Sequence, residues 1–344
     1  MQLKIRPNSP YKGDNLYEIE CFSNGSFNLK VENSDKKYIY LCDPKGKTKE
    51  QKYQAETGVL LSDGCYILQG EPAKNNFPNN EIVFRGVNPK GTLYTKEGYV
   101  ITEGFEEFKV FENGWYMLIF KENKQLFKAN HSLVAEKFID CEVFGNDCYA
   151  VRTNSKLYQT GTWDIHFIED PKTFNAQNVV KFLGNALYLV KGTDDTYTLY
   201  NLEKEVCAQD IVAYKELADN KFSLNFSTGS SVMCNQSGER ISAIIEGNAV
   251  FLPDGTFLSY DGKMLSGRYR SDGILINEYV LNYEVAKHYY LVVKNSNTEL
   301  FDKNTNKVED NCFIVEQRDN FILLEQKKKY VLYNQNGKVF ENAI

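Results

Sequence analysis

The sequence predicts an all-β chain assembled from degenerate repeats, and three features carry that expectation: aromatic content, a recurring apolar-aromatic pair, and turn residues that keep step with it. Of 344 residues 14% are aromatic, with 23 Tyr and 22 Phe against 2 Trp. Such side chains suit pleated, half-buried strands better than helices. Helical periodicity is confined to stretches such as 211–218.

The pair recurs at Leu93-Tyr94, Leu126-Phe127, Leu157-Tyr158, Leu199-Tyr200, Val232-Met233, Met264-Leu265, Leu300-Phe301 and Leu332-Tyr333, with spacings of 33, 31, 42, 33, 32, 36 and 32 residues. Roughly 20 positions after most pairs come Asn113-Gly114, Asn146-Asp147, Asp219-Asn220, Asp254-Gly255 and Asp319-Asn320. These residues tolerate the positive φ that two-residue hairpin turns require. Each turn opens an apolar run such as 115–120, 186–190 or 321–324. A run this short and this apolar reads as a strand buried on both faces. One unit therefore comprises four strands, for example 93–95, 99–102, 108–111 and 115–120, which is the organisation of a propeller blade.

Residues 333–344 hold only half a unit, and the hairpin 16–22, Asn24-Gly25, 27–31 offers the other half. The expected fold is thus a closed β-propeller spanning 1–344 as a single domain, with the hairpin 16–31 pairing to strand 331–334. Sharing strands between the two ends removes exposed sheet edges. Counting 40–93 as one unit gives nine units, and a β-solenoid is the alternative. With 8 Pro there is no Pro-rich linker.

The turn in Leu332-Tyr333-Asn334-Gln335-Asn336-Gly337-Lys338-Val339 resembles the WG-type repeat family, whose units carry an aromatic start, an N-x-x-G-K-like turn and a later hairpin. Looser matches lie at 93–100 and 234–239. The naming dipeptide is missing at every pair, and Gly114-Trp115 has the reverse order. The resemblance implies a binding module rather than an enzyme and transfers no catalytic residues.

A net charge of -6 and a pI near 5.4 argue against a nucleic-acid partner. The first residues lack a signal-type apolar stretch, and no run reaches the roughly 18 apolar residues of a membrane span, so the expected location is cytoplasmic, with no membrane partner. The eight cysteines show no C-x-x-C spacing and read as reduced core thiols. His131, His166 and His288 are scattered, so no metal site and no cofactor are expected. A thiol-imidazole pair of Cys141 with His131 reads as a core thiol and a surface imidazole. Asp63-Gly64, Asp254-Gly255 and Asp272-Gly273 echo the sialidase box, but its spacing and tryptophan are missing, so they read as hairpin chemistry. No phosphate-cradling glycine loop occurs.

Two function classes follow. The first is a non-catalytic protein-binding module for another, basic protein, with a bacterial immunity protein or inhibitor as the specific form. The second is a propeller that binds or hydrolyses glycans. The expected partner surface lies where units exceed the common length. The unit from Tyr158 to Tyr200 is nine residues over, around Trp163, Asp164, His166 and Phe167 and around Asp170-Pro171-Lys172, and the unit after Leu265 carries Arg268, Tyr269 and Arg270. Insertions in repeat arrays collect on one face, and Trp, Tyr and Arg dominate interface hot spots.

Overall fold

The computed structural model describes residues 2–4, 10–11, 14–33, 36–70, 90–144, 148–154, 162–169, 173–247, 249–260, 266–294, 297–318, 320–327 and 329–343. The pairs Leu157-Tyr158 and Met264-Leu265, the turn Asn146-Asp147, Asp319 and the segment Asp170-Pro171-Lys172 lie outside these residues.

The chain is all-β, with one short 3-10 turn at Ala218–Asn220 among the described residues. Among the described residues, eight antiparallel sheets follow one another along it. Sheet 1 is built on Asp14–Cys21, Phe27–Asn33, Lys36–Cys42 and Thr48–Tyr53, with Gln2–Lys4 and Pro10–Tyr11 added to its first strand. Sheet 2 is Thr57–Leu60, Tyr66–Gln69, Gly91–Tyr94 and Val100–Phe105, and sheet 3 is Glu107–Val110, Tyr116–Ile119, Lys124–Phe127 and Leu133–Glu136. Sheet 4 is Asp140–Phe144, Cys148–Asn154, Thr162–Phe167 and Thr173–Ala176. Sheet 5 has seven strands from Val179–Leu183 to Ile245–Glu246. Sheet 6 is Ala249–Phe251, Phe257–Tyr260, Ser266–Tyr269 and Leu275–Val280, and sheet 7 is Asn282–Val285, Tyr289–Lys294, Asn297–Asp302 and Lys307–Asp310. Sheet 8 is Phe313–Arg318, Phe321–Gln326, Lys329–Asn334 and Gly337–Ala343. These are discrete antiparallel meanders of the blade kind, not the stacked coils of a solenoid.

The predicted unit has the right length and the wrong phase. Its strands 93–95 and 99–102 end sheet 2, whereas 108–111 and 115–120 begin sheet 3. Only Glu106 separates Val100–Phe105 from Glu107–Val110, so the step between sheets is no longer than a hairpin and leaves no mark in the sequence. Sheet 5 goes further. Val206–Glu216, 11 residues long, pairs through Val206, Ala208 and Ile211 with Tyr197–Tyr200, and from Ile211 to Glu216 with Phe222–Phe226. It ends one meander and begins the next, which is how nine units become eight sheets.

The turns also differ from expectation. Phe111 N–H donates to Trp115 O at 2.8 Å and Gly114 N–H to Phe111 O at 2.9 Å, enclosing a three-residue loop with Gly114 at φ 83°. This loop, with its last residue left-handed, preserves the strand twist as two-residue primed turns do. Asn113 Oδ1 accepts from Trp115 N–H at 3.0 Å, so the Asx residue folds its own turn.

The recurring side-chain feature is an aromatic on the second strand stacked on the residue opposite it on the third. Tyr66 on Tyr94, Tyr116 on Phe127, Tyr149 on His166, Tyr188 on Tyr200, Phe257 on Tyr269 and Tyr290 on Phe301 have centroids 5.0–5.5 Å apart and planes within 19°. All six are directly opposed ladder partners, the arrangement in which cross-strand pairs stabilise a sheet most. His166 and Tyr269 therefore hold the third-strand place expected of Tyr158 and Leu265.

Two compact units divide the chain, Met1–Lys137 with Val315–Ile344, and Phe138–Ile314. In the first, sheets 8, 1, 2 and 3 pack in that order. Leu16, Ile19, Leu29 and Val31 bury against Phe321, Leu323 and Leu332, then Tyr53 against Tyr66, then Ile67 against Leu118. In the second, sheet 4 packs on sheet 5 through Trp163, Phe182 and Tyr188, sheet 5 on sheet 6 through Leu217, Met233 and Phe251, and sheet 6 on sheet 7 through Leu252, Leu258 and Tyr290.

Strand sharing between hairpin 16–31 and strand 331–334 does not occur. Lys329–Asn334 is flanked on both edges, by Phe321–Gln326 and Gly337–Ala343, so its backbone groups are already paired. Sheets 1 and 8 instead meet face to face and through side-chain amides. Asn334 Nδ2 donates to Gly25 O at 3.0 Å and Pro44 O at 2.7 Å, and Asn320 Nδ2 donates to Ser23 O at 2.9 Å. None of the eight cysteines is in a disulfide; seven are buried and Cys207 is exposed.

Candidate functional site

The seven residues expected at a partner surface lie on the third strands of sheets 4 and 6 or directly after them, not on inserted loops. Residues 155–161, before Thr162–Phe167, lie outside the described residues. Trp163 is buried against Phe182, edge to face at 5.3 Å, with the Arg152 guanidinium 5.6 Å from its ring. Asp164 accepts a hydrogen bond from Asn175 Nδ2, and Phe167 meets Phe174 edge to face at 5.9 Å. His166 stacks on Tyr149 with Thr173 Oγ1 3.3 Å from Nδ1, and burial holds its pKa below the ordinary imidazole value despite Asp164.

Arg268 is buried and belongs to a charged cluster between sheets 6 and 7. Its Nη2 pairs with Asp254 Oδ2 and donates to Tyr290 Oη at 2.6 Å, and its Nε donates to Thr256 Oγ1 at 3.1 Å. Tyr290 Oη–H donates to Asp254 Oδ2 at 2.8 Å, while Thr256 donates N–H and Oγ1–H to Oδ1 at 3.0 and 2.7 Å. Arg268 thus joins two sheets. Tyr269 stacks on Phe257, and Arg270 alone of the seven is exposed, pairing with Asp272.

Arg270 opens an apolar surface that the length argument missed. The turn 270–274 closes through Arg270 N–H to Ile274 O at 2.9 Å and leads into Leu275–Val280, the last strand in the order of sheet 6. Ile274, Leu275 and Ile276 are 56%, 37% and 38% exposed in succession. Ala243 N–H donates to Ser271 O at 2.8 Å, holding the segment with exposed Ile241 and Ile244 against this turn. The readable signal was Ile274-Leu275-Ile276 directly after Asp272-Gly273.

A second polar cluster joins sheets 2 and 3. Asp63 sits in the loop before Tyr66–Gln69, with Oδ1 accepting from Cys65 N–H at 3.0 Å and Oδ2 2.7 Å from His131 Nε2. His131 Nδ1 lies 2.7 Å from Tyr116 Oη. Burial opposes ionisation of Asp63, but hydrogen bonds from Cys65 and His131 outweigh it and lower the carboxyl pKa. Burial and the neighbouring carboxylate push the Cys65 thiol up to about 11. Cys65 offers a thiol within 4.8 Å of a His131 ring nitrogen.

No protein-family model and no curated protein matches the sequence. Among solved structures, the C-terminal WD40 domain of Sif2 is similar at 11% identity over 100% of this chain and 98% of that one, with a TM-score of 0.34. Hsv2 of Kluyvelomyces marxianus is similar at 10% identity over 92% and 97%, with a TM-score of 0.36. The succession of four-stranded antiparallel sheets, rather than either likeness, defines this chain as an all-β repeat protein.

Proposed function

We propose that the chain is a non-catalytic protein-binding module that engages its partner along the edge of sheet 6, with use as an immunity protein or inhibitor as the specific form. The observation that carries this reading is the exposure of Ile274, Leu275 and Ile276 in succession, from the end of a turn into a strand at the end of its sheet order, with the segment of exposed Ile244 held to the same turn by Ala243 N–H to Ser271 O. Edge strands normally carry charge, proline or cover, because an apolar edge invites another chain to pair with it. Here the edge offers backbone groups and apolar anchors together, the combination used in β-strand addition. The resemblance to WG-type repeats supports a binding role, and the net charge of -6 favours a basic partner.

The test is capture of a partner by tagged wild-type chain, followed by affinity measurement on an Ile244→Glu/Ile274→Glu variant shown by melting to be folded. A loss of about 2 kcal/mol or more, roughly 30-fold, is expected for anchors at an interface centre. Unchanged affinity would move the site elsewhere. Saturable glycan binding without any protein partner would favour the glycan-recognition reading instead.

A further inference from the structure

We propose that Asp63, Cys65 and His131 form a site for one zinc-class divalent cation at the junction of sheets 2 and 3. One donor atom from each lies within 4.8 Å of the others, supplying a carboxylate oxygen, a sulfur and an imidazole nitrogen from two loops 68 positions apart. Mixed sulfur, nitrogen and oxygen donors suit zinc, and three protein ligands leave a fourth position for water or an outside donor.

His131 has φ 65° in the turn after Lys124–Phe127, closed by His131 N–H to Lys128 O at 3.0 Å. The equivalent place holds glycine at Gly25, Gly46, Gly64, Gly98, Gly114, Gly238, Gly255 and Gly273, and a non-glycine residue at Lys204 and Thr305. What separates this cluster from an incidental ion pair is that the donors are oriented from behind. Tyr116 Oη engages Nδ1 and leaves Nε2 facing Asp63, while Cys65 N–H holds Oδ1 and leaves Oδ2 facing His131. Outer partners of this kind orient metal ligands and fix the imidazole tautomer. On binding, the Asp63–His131 hydrogen bond opens, the Nε2 proton that made it is exchanged through solvent for one on Nδ1, which donates to Tyr116 Oη, and Cys65 releases its thiol proton to solvent.

The test titrates chelator-treated full-length protein with Zn²⁺ against a chromogenic chelator and with Co²⁺ by absorption. Expected are one saturable equivalent, a thiolate-to-cobalt charge-transfer band, and a rise in melting temperature with Zn²⁺. His131→Gly restores the residue of the neighbouring turns, so it folds, and it loses the site, the band and the thermal shift. Cys65→Ser loses the band, Cys207→Ser keeps it, and Tyr116→Phe weakens Zn²⁺ binding by about 10–100-fold. No saturable equivalent, a site unchanged in folded His131→Gly, or a band that disappears with Cys207→Ser would overturn the proposal and leave the trio as a hydrogen-bonded clamp.

Discussion

Replacing Arg268 by Met tests whether the charged cluster between sheets 6 and 7 holds the fold or serves a partner. The side chains of Arg268 and Asp254 are 7% and 1% exposed, so truncating the cation leaves a carboxylate in a dry site. Asp254 would keep three donors, Tyr290 Oη–H and the N–H and Oγ1–H of Thr256, but lose its counter-charge. Breaking a buried pair from one side costs about 3–5 kcal/mol, because the partner charge stays buried. The guanidinium also lies 5.2 Å from the Tyr290 ring and 5.8 Å from that of Phe301, contacts Met only partly replaces. Denaturant unfolding of Arg268→Met, Asp254→Asn and the double variant gives the coupling directly. The double variant should recover a large part of the single-site loss. A loss below about 1 kcal/mol for Arg268→Met, or strict additivity, would refute the structural role.

Leu118, fully buried between sheets 2 and 3, should cost about 2–5 kcal/mol as Leu118→Ala in denaturant unfolding. Gly46 and Gly273 have φ of 83° and 88°, so Ala at either meets the left-handed penalty of about 1–2 kcal/mol. Only at Gly46 would a Cβ also lie 2.4 Å from Val339 O, whereas at Gly273 nothing lies within 4 Å, so Gly46→Ala should be the more destabilising in melting experiments. Hydrogen bonds from Lys329 and Lys338 lower the Glu341 pKa from 4.5 to about 2. Being depressed in the folded state, this group stabilises fully above 4.5 and loses its contribution as pH falls towards 2, so the stability gap between wild type and Glu341→Gln should close across that window.

The β class and repeat length were legible because they rest on local chemistry, aromatic-rich strands and Asx-Gly turns. Phase was not legible, since Phe105 and Glu107 belong to different sheets with a single residue between them. The misplaced pairs have a related cause. His166 fills a stacking position where sequence reasoning sought a tyrosine, and Tyr269 sits in Arg268-Tyr269-Arg270, whose chemistry suggested surface before core. Arg268 shows the limit most clearly, because nothing near it in sequence announces Asp254 and Tyr290, 14 and 22 positions away. The Asp63–His131 contact spans 68 positions and depends on two loops packed together, so three scattered histidines could not disclose it.

The most direct measurement of the binding proposal is hydrogen exchange of the chain with and without its captured partner. Strand addition on sheet 6 predicts slowed exchange of backbone amides in Leu275–Val280 and 241–244, with 162–167 in sheet 4 unchanged. Protection confined to sheet 4, or none in Leu275–Val280 at saturating partner, would contradict it.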